Sequence, residues 1–185
     1  MALEDKLKWN KKYQNNPMSD TPIELITKYA GLATGNKALD IACGMGRHSK
    51  YLASLGFEVD ALDVSSLAIA SLQDIPHIHA KEVDFDAYIL PKNHYDLVIC
   101  TFFLKRELFP QIINALKPGG ILIYETFVYH PQNEQVPSKR SYLLEEGELE
   151  NAFKAHLELI ESREYWTETM KGFKMKKASF VGKKS

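Results

Sequence analysis

Hydrophobic positions in this chain gather into short runs separated by polar stretches with helical spacing, and the runs set the order of elements. Lys37-Ala38-Leu39-Asp40-Ile41-Ala42 is an apolar run ending in glycines, and Arg47 to Leu55, closed by Gly56, has the spacing and stop of a helix. The unit repeats: Phe57 to Leu62 reads as a strand, Ser65 caps a helix running to Leu72, and Ile78 to Val83 is a third strand. Tyr95 to Cys100 is almost continuously apolar, as a strand covered on both faces should be. A helix from about Glu107 to Leu116 follows, with Pro118-Gly119-Gly120 as its stop, and Ile121 to Glu125 is a fifth strand. Glu148 to Ala155 is helical, and Leu157 to Trp166 and Phe173 to Val181 are predicted to pair antiparallel around a turn near Gly172.

Two segments stand outside this alternation. Thr21-Pro22-Ile23-Glu24 has the form of a capping box with proline at the first helical position, which predicts a helix over Pro22 to Ala30 within an N-terminal helical segment, residues 1–31. Residues 127–146 are long, polar and broken by Pro131 and Pro137, the composition of a lid or binding loop. Strand-helix alternation implies a parallel α/β sheet, and 185 residues suit a single domain spanning 1–185.

Composition narrows the function classes. A formal net charge of -1 offers no footprint for bulk nucleic acid, and the lysines gathered near the C-terminus (among them Lys174, Lys176 and Lys177) read as the solvated guard of an edge strand. Met1 to Asn10 is charged, and no run approaches the roughly 18 apolar residues of a membrane span. A cytoplasmic protein without a membrane partner is therefore expected. Cys43 and Cys100 are the only cysteines, too few for a disulfide framework or a four-cysteine zinc site, and no metal is expected.

Asp40-Ile41-Ala42-Cys43-Gly44-Met45-Gly46 puts glycines where a buried strand turns sharply into a helix, so that the backbone can approach a ligand. The third glycine of the dinucleotide fingerprint is replaced by Ser49, which argues against a nicotinamide cofactor. Asp63 closes the second strand about 20 residues after the turn, where a carboxylate can accept both ribose hydroxyls of an adenosine-like ligand. Its alternative role, capping the next helix, is already filled by Ser65. Asp84-Phe85 after the third strand can meet an adenine amino group and frame the base, or form an ordinary surface turn. All three positions converge on the carboxyl edge of a parallel sheet, where open α/β folds bind ligands.

These residues resemble the class I S-adenosylmethionine-dependent methyltransferases, with their D/E-x-G-x-G-x-G turn, acidic residue after strand two and KPGG-type turn before strand five. The resemblance implies a Rossmann-like, mostly parallel seven-stranded sheet with one antiparallel strand and helices on both faces. It implies S-adenosyl-L-methionine as cofactor and S-adenosyl-L-homocysteine as product. Carried over, Asp40, Ala42, Cys43, Gly44 and Gly46 line the methionine end, Asp63 and Val64 the ribose and adenine, and Asp84, Phe85 and Thr101 the adenine wall, with Arg47 also assigned to the cofactor site. Ala42 stands where the family has its first glycine. Trp9-Asn10-Lys11-Lys12-Tyr13 is similar to the aromatic N-terminal segment that folds over the cofactor, which assigns Trp9 and Tyr13 to the site. The Gly46-Arg47-His48-Ser49 turn and Glu146-Gly147-Glu148-Leu149 look most like the tellurite-resistance-type branch, although the histidine of that branch's C-terminal strand pair has no counterpart after His156.

The acceptor is less legible. A sulfonium methyl is already activated, so soft nucleophiles need only positioning, while a hydroxyl or ammonium needs a base. His48, Glu125, Tyr129 and His130 are the candidates. Cys100-Thr101-Phe102-Phe103 replaces the N/D-P-P-F/Y motif of enzymes acting on nucleobases or glutamine, and the aspartate pattern of magnesium-dependent catechol enzymes is missing. Arg47, Lys105, Arg106, Lys139 and Arg140 can offer charge to an anionic acceptor at the mouth. The expected acceptor is a small molecule; a protein or RNA substrate, a non-catalytic cofactor-binding scaffold and a nicotinamide oxidoreductase are the alternatives.

Overall fold

Lys37–Ile41 (β1), Glu58–Asp63 (β2), Ile78–Glu82 (β3), Tyr95–Thr101 (β4) and Leu116–Phe127 (β5) pair in parallel, because each crossover between them carries a segment that returns the chain to the same edge. Leu157–Glu168 (β6) and Lys174–Lys184 (β7) complete one seven-stranded sheet of order β3-β2-β1-β4-β5-β7-β6, with β7 antiparallel to both neighbours. This computed structural model describes residues 2–15, 19–169 and 171–185; residues 1 and 16–18 of the predicted N-terminal segment lie outside the described residues.

The helices are Ala2–Asn15 (α1), Glu24–Tyr29 (α2), Arg47–Ser54 (α3), Ser66–Ala70 (α4), Phe109–Ala115 (α5) and Glu148–Phe153 (α6). Alternate residues of the central strands fill two cores. Ala38, Val59, Leu97, Ile99, Ile121 and Ile123 meet Leu25, Ile26 and Leu52 of α2 and α3 on one face. Leu39, Val98, Leu122, Tyr124 and Phe180 meet Phe109, Ile112 and Phe153 of α5 and α6 on the other. The continuous apolar runs of the central strands are thus covered on both sides.

Three local expectations are corrected. Thr21 does not cap α2: the N-cap is Ile23, without a side-chain bond, and the Ile23 N–H faces His48 Nε2 at 3.4 Å instead. Pro118-Gly119-Gly120 is not a stop after a helix, which already ends at Ala115, but a bulged entry into β5, whose pairing with β4 begins at Leu116 opposite Tyr95. Any Cβ on Gly120 would lie 3.0 Å from the Tyr95 carbonyl, which explains the glycine there. The C-terminal lysines do not guard an edge either. β7 lies between two strands, and Lys177 pairs with Glu125 at 3.1 Å while Lys176 pairs with Glu164 at 2.9 Å.

Residues 127–146 are tied down along much of their length. Tyr129 N–H bonds the Leu144 carbonyl at 2.8 Å, Leu144 N–H the Phe127 carbonyl at 2.9 Å, and Glu134 N–H the Lys174 carbonyl at 2.9 Å. Val128, Leu143 and Leu144 are buried. Arg106, just past β4, clamps the far side: its guanidinium donates to the carbonyls of Ser141 and Leu143, each at 3.0 Å, and forks onto Glu148. Arg106→Ala is expected to cost about 1 kcal/mol, the pair being partly exposed. It should also quicken proteolytic cleavage near residues 139–143; a cleavage rate equal to that of the unmodified protein would remove Arg106 as the anchor.

Candidate functional site

The turn after β1 is built on positive φ angles. Gly44 (φ 55°) and Gly46 (φ 75°) suit it, but Ala42 also adopts φ 55°, in the region that costs an L-residue about 1–2 kcal/mol. The loss of the first glycine therefore costs backbone strain, which its compact side chain does not avoid. Gly44 is needed for a second reason: a Cβ there would lie 2.9 Å from the hydroxyl of Tyr13. Tyr13 stacks on Trp9 with ring centroids 5.5 Å apart, and both reach the turn from α1. One turn of the same helix, Asn10 accepts from the Ser65 hydroxyl at 2.6 Å and donates to that of Ser66 at 3.1 Å, fixing α1 against the start of α4.

Asp63 joins the turn to the second crossover. Its two carboxylate oxygens accept from the backbone N–H of Gly44 and of Ser65, both at 2.8 Å. Ser65 in turn caps α4 by accepting from Ala68 N–H at 3.1 Å. Burial raises the Asp63 carboxyl above its ordinary range, against the pull of these backbone donors. Val64 lies beside it, half-buried.

Asp40 is only 1% exposed and accepts from the Ser49 hydroxyl at 2.6 Å. Burial pushes its carboxyl up to about 7, Asp63 adds to the rise, and the Ser49 bond and the Arg47 charge oppose it. Ser49, legible in the sequence only as a missing glycine, is the partner of this carboxyl. The same pair of carboxylates raises the buried Cys43 thiol, although burial itself is the larger cause. Cys43 and Cys100 are both free and buried.

The rest of the edge carries the acceptor candidates. His48 is a strut: Nε2 accepts from Ile23 N–H, which leaves the proton on Nδ1 to reach Thr101 Oγ1 at 3.3 Å. Burial, then the adjacent Arg47, lowers its pKa to about 3, so it stays neutral. Glu125, at the end of β5 and paired in register with Thr101, accepts from the Tyr165 hydroxyl at 2.6 Å and from Lys177 at 3.1 Å. Between these groups Phe102 holds φ 56°, its ring approached by the Arg47 guanidinium at 5.3 Å and by Lys177 Nζ at 4.6 Å. Tyr165 and Lys177 escaped the sequence reading as site residues because their meeting with Glu125 depends on β6-β7-β5 register.

The remaining candidates, which follow β3 and β5, are engaged in local contacts, and the Val83 N–H bonds the Asp63 carbonyl at 2.9 Å just ahead of Asp84. The Asp84 carboxylate accepts from its own Asp86 N–H at 2.9 Å, and Phe85 packs in the core against Phe103. Tyr129 is exposed beneath the Arg140 guanidinium, and His130 sets its ring edgewise on Trp166. Lys105 is paired with Asp86. A groove of about 510 Å³ lined by Asp60, Gln73, His79 and Lys81 flanks β3 and includes no residue of the glycine turn.

Known proteins resemble this arrangement. The family model described as Tellurite resistance protein TehB matches residues 1–175. A probable S-adenosyl-L-methionine-dependent methyltransferase TehB of Haemophilus influenzae is 29% identical over 160 residues, 79% of this chain and 53% of that protein. A ubiquinone biosynthesis O-methyltransferase of Burkholderia vietnamiensis is 31% identical over 136 residues, 64% of this chain and 56% of its own length. The chain thus spans about half the length of the curated relatives it matches. The crystal structure of Haemophilus influenzae TehB has the same fold, with a TM-score of 0.75 at 24% identity over 97% of this chain and 67% of that one. Matched by the family model along residues 1–175, the chain belongs to the TehB family.

Proposed function

We propose that this chain binds S-adenosyl-L-methionine at the glycine turn and transfers its methyl group to a small-molecule acceptor. The observation that carries the reading is the pair of buried carboxylates, Asp40 and Asp63, under a turn of positive-φ glycines. An aspartate at the end of β2 serves the ribose of either ligand, but Asp40 beneath the turn is drawn toward ionisation by a nearby cation, so the site suits a sulfonium and an ammonium better than a pyrophosphate. The probable S-adenosyl-L-methionine-dependent methyltransferase and the ubiquinone biosynthesis O-methyltransferase among its relatives support this reading.

When bound, the cofactor supplies a methyl already activated on sulfur. The chain's residues then have to position and shield. Tyr13 and Trp9 cover the turn from α1, while Asp63 fixes Gly44 and Ser65 so that both backbones face the same ligand. Ala42, Cys43, Gly46, Arg47 and Val64 line the approach, and Thr101 closes it. Glu125 is buried with both oxygens already accepting, from Tyr165 and Lys177, so it holds the edge in place and the acceptor depends on positioning. His48, neutral with both ring nitrogens engaged, positions α3 against β4.

Thermal unfolding tests the reading. Saturation with S-adenosylhomocysteine at about 100 times its dissociation constant should add about 2.7 kcal/mol of stability, several degrees at this size, whereas NAD should add nothing. Stabilisation by NAD in place of the adenosyl ligand would refute the assignment.

A further inference from the structure

The mouth of the site holds an unusual concentration of cations around aromatic rings. On α1, Lys12 Nζ lies 4.3 Å from the centre of the Trp9 ring and Lys8 Nζ 5.9 Å from it. Lys8 Nζ is also 6.0 Å from the Tyr142 ring, so one ammonium sits between an α1 indole and a phenol of the 139–142 segment. Lys139 approaches Tyr142 at 5.6 Å from the other element. Lys8 and Lys139 make no ion pair among the described residues, whereas nearby Arg140 is neutralised by Glu145. Crowding already registers: burial and then the Lys8 charge lower the Lys12 pKa.

The location gives the cluster a use. Trp9 stacks on Tyr13, whose hydroxyl lies over Gly44, so the seam between α1 and residues 139–142 stands one helical turn from the glycine turn. Arg106 holds the 139–143 side from below through the Ser141 and Leu143 carbonyls, so both walls are anchored.

We propose that this seam, through Lys8, Lys12 and Lys139 beside Trp9 and Tyr142, captures the carboxylate or phosphate of a small organic acceptor as it enters. The proposal rests on the methyltransferase reading for what happens next, but the anion site itself is independent of it. Lysine ammoniums over aromatic faces favour an anion attached to an unsaturated or aromatic body, since the rings supply a flat apolar wall next to the charge. A patch of three lysines is too small to track a nucleic-acid backbone, which neutralises many phosphates along its length.

Trp9 is its own reporter, because the chain has two tryptophans and Trp166→Phe leaves only this one. Trp9 fluorescence is followed while the Trp166→Phe protein, saturated with S-adenosylhomocysteine, is titrated with benzoate, phenyl phosphate, neutral benzamide and a short oligothymidylate. Saturable binding of benzoate or phenyl phosphate without a response to benzamide is expected, and the tighter of the two names the acceptor's anionic group. Adding Lys8→Gln, Lys12→Gln and Lys139→Gln together should weaken that binding about tenfold while leaving S-adenosylhomocysteine affinity unchanged. An equal response to benzamide, no saturation by either anion, or no loss in the triple variant would overturn the proposal. Saturation by oligothymidylate alone would transfer the seam to nucleic acid and overturn it as well. Loss of S-adenosylhomocysteine binding with intact benzoate binding would sink the cofactor reading and leave the anion site standing.

Discussion

Asp63→Ala is expected to abolish measurable binding of S-adenosylhomocysteine and to lower the unfolding temperature in the same protein. From the sequence alone, this carboxylate is a ribose acceptor whose loss weakens binding without unfolding the chain. The structure adds two backbone bonds, to Gly44 and Ser65, that shape the glycine turn and start α4. Removing the carboxylate strands two buried N–H donors, each costing about 1–3 kcal/mol. It also releases the Gly44 backbone on which Tyr13 rests. Calorimetric titration should then show an affinity loss on the order of a hundredfold or more. Asp63→Asn, which keeps one acceptor oxygen, should recover part of the stability and little of the affinity. Unchanged affinity in either variant would take Asp63 out of the site; unchanged stability would contradict its structural bonds.

The second large effect is a pH dependence of stability set by Asp40. Its folded pKa, about 7, stands above the ordinary value of 3.8, so folding favours the protonated form. Well below pH 3.8 the group is protonated in folded and unfolded chains alike and costs nothing. As pH rises, the unfolded chain ionises first, and stability falls until the folded carboxyl also ionises near pH 7. Above that, the native state carries a penalty of about 4 kcal/mol. Asp40→Asn keeps an acceptor for the Ser49 hydroxyl and cannot ionise, so its advantage should be small at pH 4, grow between pH 4 and 7, and level off above. Urea denaturation at pH 4, 5.5, 7 and 8 measures this. A constant difference across those four values would mean that Asp40 does not hold a proton in the folded protein. A cation bound at the turn would draw the carboxyl back toward ionisation, so the penalty should shrink when the adenosyl sulfonium is present.

The contrast between these two aspartates shows what could be read from the chain. Asp63, the glycines and the Ser65 cap were legible because local turn chemistry fixes each of them. The sheet was legible for a similar reason: five apolar runs alternating with helical segments leave few topologies, and the last two strands could only add at an edge. Thr21 failed as a cap because the Ile23 N–H faces the ring of His48, a partner 25 residues away. The Pro118-Gly119-Gly120 turn was read as a helix stop, but pairing with Tyr95 made it a strand bulge, and no local signal distinguishes the two. Ser49 was seen as the loss of a glycine; its bond to Asp40 crosses from helix to strand and has no sequence signature. Glu125, Tyr165 and Lys177 meet only through antiparallel register, in which a shift of one residue would turn each side chain to the opposite face.

The place of β7 has a consequence for how the chain is made. β6 is synthesised before β7, yet β7 is the strand that joins it to the sheet. A growing chain that has released residues up to 168 therefore displays two unpaired edges at once, that of β5, with Ile121 and Ile123 destined for the core, and that of an orphan β6. The sheet cannot grow outward strand by strand as it leaves the ribosome; it closes by insertion of residues 174–184 between elements already waiting. Loss of that one segment removes two strands from the sheet, and the interval before insertion is when the nascent protein is most exposed to self-association or chaperone capture.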